Sequence, residues 1–266
     1  MGRYQDLFNQ INHTALIPFF VIGDPDEETS FELVKTAIDA GADVLELGIP
    51  FSDPVADGPT IQKADIRAMK AGMTSAKALA FIKRVSDYKP LPIGLLVYYN
   101  LIFQYGVDAF LADFKKAGGT SVLVADLSID DADEIVPAAK AAGLETVFMV
   151  TPNMTDERIK KVAEKATGFI YTVSLLGTTG ERTGLSDMVK PLISRLKGLT
   201  KQPICVGFGI STPDHAQEVA RAGADGVIIG SRIVKFIEDN ANNTAEMKKQ
   251  VGEYIKQVTK KLPTFE

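Results

Sequence analysis

Short, almost continuously apolar runs recur along the chain, each followed by a longer polar-studded stretch. The runs are Leu16–Val21, Val44–Leu47, Ile93–Val97, Ser121–Val124, Thr146–Val150, Gly168–Val173, Ile204–Val206 and Gly226–Ile229. They lack the alternation of a half-wet strand, so they predict strands covered on both faces, as in a parallel sheet. Between them, Glu28–Ala40, Asp130–Ala142, Asp156–Ala166 and Pro213–Ala222 show helical spacing, with Thr155, Asp156 and Pro213 as start signals. A junction repeats at Ala40-Gly41, Ala117-Gly118, Ala142-Gly143 and Ala222-Gly223. Each Gly is predicted to end a helix in a left-handed turn. Eight such units, at about 33 residues each and with no Pro/Gly/Ser-rich linker, predict a single (β/α)8 TIM barrel. It occupies residues 1–266 as one domain, with an extra helix at the N-terminus. An open doubly wound sheet shares the alternation and is the competing architecture.

In a barrel, chemistry sits in the loops after the strands. Here those ends read Ile22-Gly23-Asp24-Pro25, Glu46-Leu47-Gly48, Tyr98-Tyr99-Asn100, Ala125-Asp126, Thr151-Pro152, Tyr171 to Ser174, Gly207-Phe208-Gly209 and Gly230-Ser231. They hold no Lys for a Schiff base. Neither His13 nor His215 falls among them, which argues against a His-bound metal. Carboxylates remain.

Composition narrows the field further. The 266 residues carry 29 Lys plus Arg against 34 Asp plus Glu, a net charge of −5, with 45% apolar residues. No dense basic block offers a nucleic-acid surface. The one cysteine, Cys205, excludes an internal disulfide and cysteine zinc sites, and is expected to be buried and inert. The early apolar run from Ala15 to Ile22 contains Pro18 and is too short to span a membrane or serve as an export signal. A cytoplasmic protein without nucleic-acid or membrane partners is the expectation.

Three constellations carry chemistry. Glu46 stands inside an apolar strand near its active end, where desolvation raises a carboxyl pKa and suits a proton shuttle. The alternative is a hydrogen-bonded structural Glu. Asp53 and Asp57 share the Pro-rich loop that follows, where Asp is also a common turn former. At the far end, Gly207-Phe208-Gly209 and Gly230-Ser231 follow neighbouring strands, and a helix starting at Gly230-Ser231 adds its N-terminus. This is a phosphate site or a pair of tight turns. The loop from Ser174 to Gly184, with three glycines, is a lid or a loose connector.

Taken together these segments resemble the α subunit of tryptophan synthase. The matching stretches are Pro18-Phe19, Gly23-Asp24-Pro25, Glu46 to Pro54, Ala56 to Gln62, Tyr98 with Asn100, Gly177 with Thr179-Gly180, Gly207 to Ser211, and Gly230-Ser231. They cover nearly the whole chain, and Glu46 to Gln62 is the most specific. The resemblance implies cleavage of indole-3-glycerol phosphate to indole and glyceraldehyde 3-phosphate, with Glu46 and Asp57 as the catalytic pair. It implies an indole pocket of Phe19, Leu96, Tyr98 and Tyr171, with Phe208 also at the substrate. It assigns phosphate binding to Gly180, Gly209, Gly230 and Ser231, and a contact between Thr179 and the Asp57 loop on closure. No metal or organic cofactor is implied in this subunit. A β partner carrying pyridoxal phosphate would take the indole within an α–β–β–α heterotetramer. Leu175-Leu176 departs from the smaller or more polar residues expected there.

Two rivals remain on the residues alone. One is another sugar-phosphate barrel enzyme, which would share the glycine motifs but not need Glu46 with Asp57; a ring-closing synthase would also want a catalytic Lys. The other is a non-catalytic ligand-binding regulator, against which the intact carboxylate pair argues.

Overall fold

In a computed structural model, residues 3–173, 185–207 and 209–265 are described. The apolar runs form parallel strands: β1 (Ala15–Val21), β2 (Leu45–Gly48), β3 (Ile93–Val97), β4 (Ser121–Val124), β5 (Glu145–Thr146), β6 (Phe148–Val150), β7 (Ile170–Val173), β8 (Ile204–Gly207) and β9 (Gly226–Ile229). Their order is β5-β4-β3-β2-β1-β9-β8-β7-β6. Strands β5 and β6 are two pieces of one stave. The first pairs with β4 and the second with β7, and between them Val147 donates its N–H to Val122 at 3.1 Å. The expected run Thr146–Val150 is therefore interrupted at Val147, where pairing passes from one neighbour to the other. Counted as staves, this is an eight-stranded TIM barrel.

Helices return the chain outside the barrel. Asp26, Thr155 and Thr212 cap the helices Glu27–Asp39, Asp156–Lys165 and Pro213–Arg221, each accepting a first-turn N–H on its side-chain oxygen. The expected helix Asp130–Ala142 is instead a 3-10 turn, Ile129–Glu134, then a short helix, Val136–Ala142. Pro137 lacks an N–H and suits only the first turn of a helix, so a new start is forced there. The repeated Ala-Gly junctions turn as predicted: Gly118 has φ +101° and Gly223 has φ +104°. At Gly118 even a Cβ would lie 2.2 Å from the Ser86 hydroxyl.

Two apolar layers result. The outer layer joins strands to helices. The inner one fills the barrel with Ile17, Val44, Leu123, Val147, Phe169, Tyr171, Cys205 and Ile228. Tyr4, from the N-terminal helix Arg3–Gln10, belongs to the inner layer and is fully buried. That extra helix thus lies against the floor of the barrel, at the N-terminal ends of the strands. Among the described residues no helix is long and apolar enough to cross a membrane.

Candidate active site

The site begins with Glu46 on β2, level with Phe19 of β1 and Gly94 of β3. Its side chain faces the barrel interior and is 4% exposed. Burial first, and the negative charge of Asp57 second, push its carboxyl pKa up to about 8. Glu46 therefore holds a proton at neutral pH.

Asp57 comes from the loop between β2 and the helix Pro59–Lys70. Tyr98, just beyond β3, donates its hydroxyl to Asp57 Oδ2 at 2.7 Å and accepts the Ala56 N–H at 3.0 Å. The Tyr98 ring stacks on Phe51 with centroids 4.9 Å apart. Gln62 Nε2 donates to the Asp57 carbonyl at 2.8 Å. The loop is thus tied at three points. Partial burial raises the Asp57 pKa, and the Tyr98 hydrogen bond opposes that rise. Asp57 lines the cavity, whereas Asp53 is exposed and accepts from Ser52, which separates the two loop aspartates.

A cavity of about 210 Å³ opens at the C-terminal ends of the strands. It holds far more than the ~30 Å³ share of one water. Of the expected site residues, Phe19, Glu46, Asp57, Leu96, Tyr171, Gly209, Gly230 and Ser231 meet there. Tyr98 acts on it through Asp57. Thr179, Gly180 and Phe208 lie outside the described residues, as does the loop from Ser174 to Gly184 with Leu175-Leu176. Glycines make room for the aromatic wall: a Cβ at Gly48 or Gly230 would come within 2.8 or 3.1 Å of the Phe19 ring. At Gly207 it would lie 2.4 Å from the Tyr171 hydroxyl.

One end of the cavity suits an anion. Gly230 is the N-cap of the helix Ser231–Asp239, with no side-chain cap on the first-turn N–H groups. The helix dipole adds its positive end there. Gly209, with φ +76°, lines the same cavity.

Several lining residues were given no role from the sequence: Ile61, Ile210, Ser211, Ile228 and Arg232. Ile228 was findable, since a period of two puts it on the face of Gly230. His215 stands outside the strand ends in sequence, yet its Nδ1 lies 3.2 Å from the Gly209 carbonyl and 3.3 Å from Ser211 Oγ. It buttresses the glycine turn from the first turn of its helix, and the spacing Ser211 to His215 was the only signal. Asp65 is another buried carboxyl group, pushed up to about 8 by burial and then by the charges of Asp57 and Asp24. Beneath the loop, Arg67 grips Asp24 through two hydrogen bonds, at 2.6 and 2.8 Å. Among the described residues no group of three His, Cys, Asp or Glu side chains could hold a metal ion.

Comparison with known proteins adds independent information. The family model described as tryptophan synthase alpha chain matches residues 6–263. The tryptophan synthase alpha chain of Methanothermobacter thermautotrophicus is 45% identical, over 94% of this chain and 93% of its own. That of Photobacterium profundum is 42% identical, over 96% and 97%. Among solved structures, tryptophan synthase subunit alpha from Legionella pneumophila superposes with a TM-score of 0.91 at 30% identity, covering 98% of both chains. A chain from a structure of the tryptophan synthase a2b2 complex of the hyperthermophile Pyrococcus furiosus gives 0.87 at 37% identity, covering 94% of this chain and 100% of that one.

Proposed function

This chain belongs to the tryptophan synthase alpha chain family, carbon–carbon lyases that cleave indole-3-glycerol phosphate, and from that premise we propose how its residues divide the work. The bond to break joins indole C3 to the glycerol chain, and indole is a poor leaving group as a carbanion. Glu46, protonated at neutral pH, gives its proton to ring C3. The product is an indolenine cation, whose N–H Asp57 binds and whose charge it balances. Glu46, now a carboxylate, takes the proton of the hydroxyl on the carbon attached to C3. The oxygen lone pair forms the aldehyde, the carbon–carbon bonding pair returns to the ring, and indole leaves. Glu46 ends the cycle protonated. Two carboxyl groups in different environments split the acid–base and charge-balancing roles.

Phe19, Leu96 and Tyr171 flank the indole ring in this reading, with Phe208 beside them, and Tyr98 fixes Asp57. Gly209, Gly230, Ser231 and Gly180 hold the phosphate, and Thr179 meets the Asp57 loop on closure. The remote phosphate grip orients the reacting end. The observation that carries the proposal is that a buried, protonated Glu46, Asp57 and an uncapped helix N-terminus share one cavity.

We read residues 1–266 as one domain, supported by the unbroken strand order. The chain serves as the α subunit of an α–β–β–α assembly in the cytoplasm. It uses no cofactor of its own, and the β partner carries pyridoxal phosphate and consumes the indole. The test is indole release from indole-3-glycerol phosphate and from its dephosphorylated counterpart. Release from the phosphorylated substrate, with a much larger KM for the other, is the expected result. Equal KM values would remove the phosphate site from this reading, and no indole from either would remove the activity.

A further inference from the structure

The reaction uses the mouth of the barrel, and the floor lies at the opposite end of the strands. A tyrosine stands there, fully buried, on a gap whose lining it shares with Glu46. Tyr4 enters the barrel from the N-terminal helix, and its hydroxyl lies 3.0 Å from Ser121 Oγ at the start of β4. Its backbone N–H donates to Glu145 Oε2 at 3.3 Å, which ties the helix start to β5. Its ring meets Phe169 edge to face, with centroids 5.2 Å apart.

The barrel wall is cut to receive this ring. A Cβ at Gly94 would come within 3.0 Å of the Tyr4 hydroxyl and 3.1 Å of Ser121 Oγ. A Cβ at Gly168 would come within 3.1 Å of the ring edge. Gly94 is the residue on β3 that pairs with Glu46 on β2, so the phenol reaches the level of the shuttle. The gap between Tyr4 and Glu46, lined also by Ile17, Leu95, Leu123 and Val147, has no room for a water molecule.

We propose that Tyr4 is a positioning residue for Glu46, a plug that closes the barrel floor and keeps water from reaching the carboxyl group from below. With the floor closed, water reaches the carboxyl group from the substrate side alone, so most of the desolvation of a buried acid remains and favours the protonated form. The proposal rests on the reading of Glu46 as the proton shuttle. The groups around Glu46 make it specific. Tyr4, Tyr171 and Cys205 are themselves held neutral, burial pushing each of them up, and among the described residues Asp57 is the charge that acts on Glu46. Glu145 faces Tyr4 from the floor, where burial raises its pKa too. Opening the floor therefore changes the solvation of Glu46 while leaving the charges at the mouth in place.

The test is a direct titration of Glu46 in the full chain. Infrared spectra of protein carrying 13C-labelled glutamate identify the Glu46 carboxyl band as the one missing from Glu46→Gln. Wild type, Tyr4→Phe and Tyr4→Ala are titrated side by side. Tyr4→Phe keeps the plug, so its midpoint stays within a few tenths of a pH unit of wild type. Tyr4→Ala admits water, so its midpoint falls by at least about one pH unit. An unchanged midpoint in folded Tyr4→Ala overturns the proposal. If Tyr4→Ala lacks native circular dichroism, Tyr4→Leu, which leaves the space beside Glu46 open, is titrated under the same criterion. Because the band reports protonation and not turnover, this result is separate from whether Glu46 catalyses. Indole release by Glu46→Gln decides that.

Discussion

At the residue scale, the account turns on Glu46. Its folded pKa, about 8, stands well above the ordinary 4.5. The folded state keeps this proton after the unfolded state has lost it. Glu46 therefore costs no stability below about 4.5, and an increasing amount as pH rises toward about 8. Glu46→Gln does not titrate, so it should gain on wild type across that window, by up to roughly 1.4 kcal/mol per pH unit. Urea midpoints of both proteins at pH 5 and pH 8 check this; parallel behaviour would mean that Glu46 is not held protonated. The sequence already set Glu46 apart, because a lone carboxyl in an apolar strand has few roles. On the residues alone it favoured Asp57 over Asp53 only weakly, since both have prolines nearby, and the family resemblance made the choice. In the structure the bonds between Tyr98 and the Asp57 loop, and the place of Asp57 on the cavity wall, set it apart from the exposed Asp53. Tyr4 was beyond reach for another reason: its partners Ser121, Gly94 and Glu145 are scattered along the chain and meet only when the barrel closes.

At the scale of elements, Gln62 ties the loop after β2 to the helix Pro59–Lys70. The helix is fastened to the end of β1 by Arg67 on Asp24, whose side chain is fully buried. Arg67→Ala strands that carboxyl group and should destabilise the fold by about 3–5 kcal/mol. Arg67→Lys keeps the charge but loses the two-pronged grip, and should fall between that variant and wild type. Denaturant unfolding of the three proteins checks the order; Arg67→Ala unfolding like wild type would show that the pair does not fasten the helix. Strands were legible because β1, β2 and β9 are buried along their whole length. The breaks at Val147 and Ile135 were not. The first reflects which neighbour a residue pairs with, and the second a proline inside an otherwise helical pattern.

At the scale of the whole molecule, the two ends of the barrel have different duties: the floor is sealed and the mouth reacts. Around the mouth, Val55 is 83% exposed and Phe103 is 60% exposed. Both lie where the β partner is expected to dock, on the Asp57 loop and the surface from Asn100 to Tyr105. Phe103→Asp, which touches neither carboxyl group, should weaken association with a β subunit by about tenfold or more, as loss of a buried aromatic anchor does. Sedimentation of the mixture checks this, and unchanged association would move the docking face elsewhere. The central claim, that one buried carboxyl group moves both protons, is tested most directly by the pH profile of indole release with the β partner present. Wild type should lose activity as pH rises through about 8, where Glu46 gives up its proton. Asp57→Asn should be slower by roughly 10²–10³-fold. It should keep that limb at somewhat lower pH, since the Asp57 charge helps to raise Glu46. Glu46→Gln should be slower by at least roughly 10²–10⁴-fold and lack the limb. Near-normal turnover by Glu46→Gln, with substrate still bound, would contradict the account.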